Sequence, residues 1–116
     1  MKSALLSIPD LFFLPGVDDA LKRLGFSTRE VNARDAIEAQ LAGADLLIVQ
    51  LDRAQDKWLR LIEAARLAAV PVLAFGRHTE AAALRAARQA GANKVVPNSE
   101  LVAELPRLVE QLIAKA

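Results

Sequence analysis

The sequence lacks cysteine and contains a single histidine, His78, among its 116 residues. Without cysteine there can be no disulfide, thiolate metal site or thiol catalysis, and its absence suits a reducing compartment. A single histidine cannot form a histidine pair. The absence of cysteine and the presence of only one histidine together argue against a transition-metal site. No glycine-rich phosphate loop or dinucleotide fingerprint is present, which argues against nucleotide hydrolysis and the usual dinucleotide binding.

Long apolar runs and an excess of one charge are also missing. No stretch approaches the ~18 apolar residues that a membrane span needs, and the apolar run near the start is too short for a signal peptide. Lysine and arginine total 15 against 14 acidic residues, so non-specific nucleic-acid binding is not expected. We therefore expect one cytoplasmic domain over residues 1–116, with no membrane or nucleic-acid partner and no cofactor.

Residues Leu46–Val49 form the apolar run around which the chain is organised. Four large apolar residues in a row, without polar alternation, predict a strand buried on both faces. Ligands in open parallel sheets collect beyond the carboxyl ends of the strands. The segment Gln50–Arg53 is therefore expected at the functional edge.

Four further apolar runs and five helical patterns alternate with this strand. The predicted strands are Ala4–Ile8, Phe26–Val31, Ala44–Asp52, Val70–Phe75 and Lys94–Pro97. Short loops and right-handed crossovers then predict an α/β fold, a three-layer, doubly wound parallel sheet with strand order 2-1-3-4-5.

Sequence details refine the helices. Helix one is expected either after Pro15-Gly16 or from an earlier start capped by Asp10, in which case Pro15 would kink it. Asn32 is expected to cap helix two, with Ala33, Ile37 and Leu41 on one face, and Thr79 to cap helix four. In the last helix, Pro106 predicts a break near Leu105.

Three short motifs carry a family resemblance. Leu24-Gly25-Phe26, Pro71-Val72-Leu73 and Ala90-Gly91-Ala92 resemble segments of the receiver domain of bacterial two-component response regulators, and the similarity covers nearly the whole chain. It implies a CheY-like, flavodoxin-like fold and a two-component signalling role. The segments around Asp10, Gly76 and Asn98 also resemble small stand-alone receiver-like proteins.

The resemblance also implies where a phosphoryl-transfer site would lie, and every chemical position there is changed. The magnesium-binding acidic pair falls on Ile8 and Pro9, and the phospho-accepting aspartate falls on Gln50. The hydroxyl position falls on Gly76, and the lysine position on Asn98. An amide is a poor nucleophile, and nothing there compensates phosphoryl charge. The resemblance therefore implies a degenerate pseudo-receiver without catalytic activity.

Two other interpretations of the same edge stay open. A two-residue shift of the alignment would make Asp52 the phospho-acceptor and Asp10 a metal ligand, whereas both are otherwise acids in loops. Arg53, Arg77 and His78 could together hold an anion such as a phosphate near the start of helix four. The alternative for His78 is an exposed loop residue.

The last helix carries more apolar residues than one sheet contact readily covers. Leu101, Leu105, Leu108 and Leu112 lie along one side, and receiver-like domains often pair through this region. The expected partner is a second copy of the chain, through a face that includes strand five and these four leucines. The alternative is that they pack on the sheet of a monomer.

These observations favour a non-enzymatic signalling or regulatory module that acts through contacts with a protein partner. A sensor of a phosphate- or nucleotide-type ligand is the second interpretation. A receiver phosphorylated on Asp52 is the third.

Overall fold

The computed structural model describes residues 1–32 and 34–114. Within these ranges the chain forms five strands, which make one parallel sheet in the order β2-β1-β3-β4-β5, and five helices. The strands are β1 (Lys2–Ser7), β2 (Phe26–Glu30), β3 (Leu46–Gln50), β4 (Val72–Gly76) and β5 (Lys94–Pro97). The helices are α1 (Leu14–Arg23), α2 (Ile37–Leu41), α3 (Gln55–Leu67), α4 (Ala81–Ala90) and α5 (Asn98–Ala114). The predicted α/β fold and strand order are confirmed, and no helix in the described ranges is long and apolar enough to cross a membrane.

The central strand β3 is buried on both faces, as its unbroken apolar run predicts. It pairs in parallel with β1 and with β4. Leu46 and Ile48 face a core with α1 and α5, whereas Leu47 and Val49 face a core with α2, α3 and α4. This alternation follows from the two-residue period of a strand. The helices therefore cover both sheet faces and leave the strand ends as the accessible edge.

Helix α1 begins before Pro15-Gly16. It starts at Leu14, and Pro15 occupies its first turn. A proline is compatible with that position because the first N–H groups of a helix have no intrahelical acceptor and its fixed φ suits the helix. The helix therefore begins between the two starts that the sequence left open.

Neither predicted side-chain cap is present. Asn32 Oδ1 accepts a hydrogen bond from the backbone N–H of Arg34 at 2.9 Å, which closes a turn, and α2 begins later, at Ile37. The predicted face of that helix included Ala33, which lies outside the described residues. Helix α4 begins beyond Thr79 and has no side-chain cap hydrogen bond.

Helix α5 is interrupted close to the predicted position. Glu104 has the non-helical angles φ −126° and ψ 16°, two residues before Pro106. The proline lacks an N–H and crowds the preceding turn, so the two halves of α5 meet at a kink. The kink lets both halves pack on the sheet.

The four leucines predicted as a dimer face are core residues instead. Leu101 and Leu108 are fully buried, and Leu105 and Leu112 are 5% and 8% exposed. They pack with α1 and the sheet in the same hydrophobic core. Their assignment as an interface surface is therefore wrong, whereas self-association of the chain stays a prediction.

Candidate functional site

A cleft of about 780 Å³ lies at the carboxyl ends of the strands, and we call it the edge cleft. Helix α1 packs on one face of the sheet and α3 on the other, so the chain leaves β1 and β3 in opposite directions. Such a switch point opens a crevice in doubly wound folds. Eight sequence-predicted site residues line it, namely Pro9, Asp10, Gln50, Asp52, Arg53, Gly76, Arg77 and Asn98.

Gln50, at the predicted phospho-acceptor position, is the last residue of β3 and is half-buried. Its Oε1 accepts a hydrogen bond from the backbone N–H of Asp10, with an N–O distance of 3.1 Å. The side chain thereby connects the end of the central strand to the loop after β1. An amide can make this bond with its oxygen but is not a useful nucleophile.

The two positions of the predicted acidic pair offer no side-chain oxygen. Ile8 is 5% exposed and packs in the core with α1 and α5. Pro9 is exposed and lines the edge cleft. A hard cation such as Mg²⁺ binds through oxygen ligands, so these two side chains cannot hold one.

Asp10 and Asp52 each use one carboxylate oxygen to stabilise their own loop. Asp10 Oδ1 accepts from the N–H of Phe12, and Asp52 Oδ1 accepts from the N–H of Ala54, both at 2.8 Å. The backbone oxygen of Asp52 also accepts a hydrogen bond from Trp58 Nε1 at 3.0 Å. These contacts are those of loop acids at turns.

The residues of the edge cleft do not form the magnesium site of a working receiver. Within residues 1–32 and 34–114, no group of three or more histidine, cysteine or acidic side chains is placed to hold a metal ion. Asp10 and Asp52 line the same cleft, but each is engaged in a turn, and Ile8 and Pro9 add no ligand. The donor set therefore does not fit the metal that the resemblance implies.

Gly76, at the predicted hydroxyl position, ends β4 and is buried. A Cβ built on Gly76 would lie 3.2 Å from the Cβ of Leu51, which is tighter than ordinary van der Waals contact. Leu51 is held there by a 2.8 Å hydrogen bond from its N–H to the oxygen of Phe75. The close packing of Leu51 thus disfavours a larger side chain at this position.

Asn98, at the predicted lysine position, is the first residue of α5. Its Oδ1 is buried, and no described residue donates a hydrogen bond to it. Asparagine adds no positive charge to the cleft. The phosphoryl-charge compensation that lysine provides is therefore missing at this position.

Of the three basic residues predicted to hold an anion, the structure brings two to the edge cleft. Arg53 and Arg77 line it, whereas His78 is exposed in the loop after β4 and is not among its lining residues. Acidic Asp10, Asp52 and Glu80 line the same cleft. The cleft is therefore of mixed charge.

Sequence reasoning missed two exposed apolar side chains beside this cleft. Leu11 and Phe12 are 76% and 82% exposed in the loop between β1 and α1. The ring of Phe12 meets Phe13 edge-on with centroids 5.1 Å apart, and Phe13 in turn meets the buried Phe75 at 5.5 Å. The run of four apolar residues between Asp10 and Pro15 could have indicated this exposure, because so short a loop cannot bury all four side chains.

The chain matches no protein-family model and no curated protein sequence. Among solved structures, it is similar to a CheY-like protein (tadZ) from Pseudomonas aeruginosa PAO1, with a TM-score of 0.81 and 20% identity over 97% of this chain and 99% of that one. It is also similar to a two-component response regulator from Clostridium difficile, with a TM-score of 0.80 and 14% identity over 98% and 97%. A response regulator from Thermotoga maritima gives a TM-score of 0.76 and 18% identity over 98% of each chain.

These similarities extend over the full described sheet and its helices. The chain therefore has the fold of CheY-like receiver domains, as the sequence motifs suggested. Within that fold, its edge cleft carries the side chains described above.

Proposed function

We propose that the chain is a receiver-fold signalling module that works through protein contacts and does not transfer phosphoryl groups. The observation that carries this proposal is the bond between Gln50 Oε1 and the N–H of Asp10. At the phospho-acceptor position, an amide holds the loop after β1 in one arrangement. A module of this kind presents a fixed surface to its partner.

The chemistry of the cleft supports the absence of phosphoryl transfer. The reaction needs a nucleophile and cations that neutralise charge on the phosphoryl oxygens. Gln50 offers no carboxylate, Asn98 offers no ammonium group, and Ile8 and Pro9 offer no metal ligand. Restoring the receiver residue at one of these positions would leave the other positions without the groups that phosphoryl transfer needs.

The exposed pair Leu11 and Phe12 supports protein contact at the same edge. An Asx turn at Asp10 and the edge-on stacking of Phe12 on Phe13 hold this loop. Large apolar side chains held outward are typical anchors of protein interfaces, because they bury area with little loss of conformational freedom. We propose that the partner contacts these two side chains.

Phosphorylation can be tested by intact mass after incubation with magnesium and a small phosphodonor. We expect the parent and Gln50→Asp both to stay unmodified, because the metal ligands and the lysine are missing in each. A phosphorylated species that disappears in Asp52→Asn would instead establish Asp52 as the acceptor. Magnesium-dependent labelling of Gln50→Asp would show that the cleft compensates phosphoryl charge after all.

Partner contact can be tested by affinity capture from the native organism. Phe12→Ser is compared with Leu67→Ser, a matched control on α3 that removes a side chain with 81% exposure. We expect a partner that is retained by the parent and by the control but lost with Phe12→Ser. Equal retention by both variants would contradict the proposed surface.

A second candidate function is anion sensing in the edge cleft, because Arg53 and Arg77 both line it. A thermal-shift titration with inorganic phosphate and nucleotides tests it. Stabilisation that is lost in Arg77→Gln would favour this function. The same shift in Arg77→Gln and the parent would contradict it.

A further inference from the structure

We propose that a second cavity, the groove between α2 and α3, binds a small zwitterion of amino-acid size with an apolar side chain. Leu11 and Phe12, the proposed partner surface, do not line this groove. Either proposal can therefore fail without the other.

The groove has the size and floor of a small-molecule site. Its volume is about 430 Å³, within the roughly 300–1,000 Å³ that is usual for such sites. Helix α2 has 5 residues against 13 in α3, so α2 can cover only part of the length of α3. Apolar side chains line the floor, namely Val31, Ile37, Trp58 and Leu61.

The groove is lined by charges of both signs, and Asp52 in the loop before α3 uses one carboxylate oxygen in its own turn. Lys57 and Arg60 lie on α3 within one turn of each other, and they share a helix face with Leu61. Glu30 and Asp35 lie on the other wall, at the end of β2 and in the loop before α2. Among the described residues, no ion pair joins the two walls. A ligand with a carboxylate towards α3 and an ammonium group towards β2 would complement both walls.

The acidic wall is fixed by Gln40, a polar residue that is only 6% exposed. Its Nε2 donates to the backbone oxygens of Asn32 and Asp35, at 2.7 and 3.0 Å. Its Oε1 accepts from the N–H of Asn32 at 2.6 Å. All three bonds are to backbone atoms of Asn32 and Asp35, so Gln40 holds the backbone of this part of the wall without a ligand. A preformed wall lowers the conformational entropy lost on binding.

The groove also reaches the edge cleft. Pro9, Gln50, Asp52 and Trp58 line both cavities. A ligand in the groove would therefore lie near the side chain that holds Asp10 and the loop of Leu11 and Phe12. Ligand binding would in this way have a direct structural route to the exposed apolar pair.

The test is a titration of the full chain with L-phenylalanine, followed by calorimetry and by the fluorescence of Trp58, the only tryptophan. Three analogues separate the charges: phenethylamine lacks the carboxylate, phenylpropionate lacks the ammonium group, and N-acetylphenylalanine amide lacks both. We expect saturable binding of phenylalanine. Affinity should fall about twofold to fivefold for each charge removed, as is usual for solvent-accessible ion pairs.

Protein variants provide the second arm. Arg60→Gln should weaken the binding of phenylalanine more than the binding of phenethylamine. Glu30→Gln should weaken the binding of phenylalanine more than the binding of phenylpropionate. Arg85→Gln on α4 and Glu63→Gln on α3 are matched controls, because both residues are exposed and lie outside the groove lining. Circular dichroism establishes that each variant is folded.

Two results would overturn the proposal. One is the absence of saturable binding by either method up to ~10 mM phenylalanine, which is weaker than a specific site requires. The other is an uncharged analogue that binds as tightly as phenylalanine, since the opposed walls would then have no role.

Discussion

The close packing of Gly76 against Leu51 makes a sharp prediction about the strand edge. In Gly76→Ala the new Cβ would lie 3.2 Å from Leu51 Cβ. Both atoms are fixed by the backbone, so no rotation of a side chain can relieve the contact. Residues 51 and 76 must move apart, and the hydrogen bond between Leu51 N–H and Phe75 oxygen lies beside this contact.

Two opposing effects set the size of the change. Alanine restricts the unfolded chain more than glycine does, which stabilises the protein by about 0.4–1 kcal/mol where the backbone accepts it. Overpacking a buried site costs about 1–3 kcal/mol. The second effect is the larger because the neighbour cannot yield. We expect a net loss of roughly 1–2 kcal/mol, or a melting temperature lower by about 4–8 °C.

Gly16→Ala is the matched control. Gly16 lies in α1, and a Cβ there would meet nothing within 4 Å. Alanine should stabilise the helix by up to about 1 kcal/mol. Urea titrations of both variants provide the comparison. A Gly76→Ala protein as stable as the parent, or a destabilised Gly16→Ala protein, would refute the packing argument.

Other substitutions test the core of α5 and a carboxylate on α1. Leu108→Lys should unfold the monomer, since it buries a charge at a fully buried site, whereas Val102→Lys, at 68% exposure, should leave folding intact; circular dichroism distinguishes them. If the chain pairs through the outer side of α5, light scattering should show that Val102→Lys weakens the pair. The Thr28 hydroxyl and then Lys22 lower the pKa of Asp18 below its ordinary 3.8. The resulting stability is present above that pH and is lost as pH falls through the lowered pKa. Thr28→Val should make the acid-unfolding curve show a smaller loss of stability at low pH. An unchanged curve would contradict the role of Thr28 in lowering the pKa of Asp18.

The amino-acid sequence was sufficient for the fold. An unbroken apolar run such as Leu46–Val49 can be buried only between two layers of helices. The alternation of short strands with helices leaves few parallel topologies. The identities of Ile8, Pro9, Gln50, Gly76 and Asn98 could likewise be assigned to the strand ends, because position along a strand follows from counting residues.

Local signals at the helix ends were less reliable. Asn32 and Thr79 are residues that favour caps, but Asn32 instead closes a turn, and α4 begins two residues after Thr79. The leucines of α5 repeat with helical spacing. This spacing is the same for an exposed apolar stripe and for a buried one. Only packing distinguishes these outcomes, since the kink at Glu104 turns both halves of the helix towards the sheet.

The sequence by itself indicated the layers and which side chains stand at the functional edge, because apolar periodicity and position along a strand are local properties. The strand order followed from the few topologies that short, right-handed crossovers allow. The tertiary structure alone decided how those side chains are used. Residues 40 positions apart meet when the N–H of Asp10 donates to Gln50. The exposure of Phe12, the contact between Gly76 and Leu51 and the charged walls of the α2–α3 groove also depend on distances between separate segments, which no local pattern specifies.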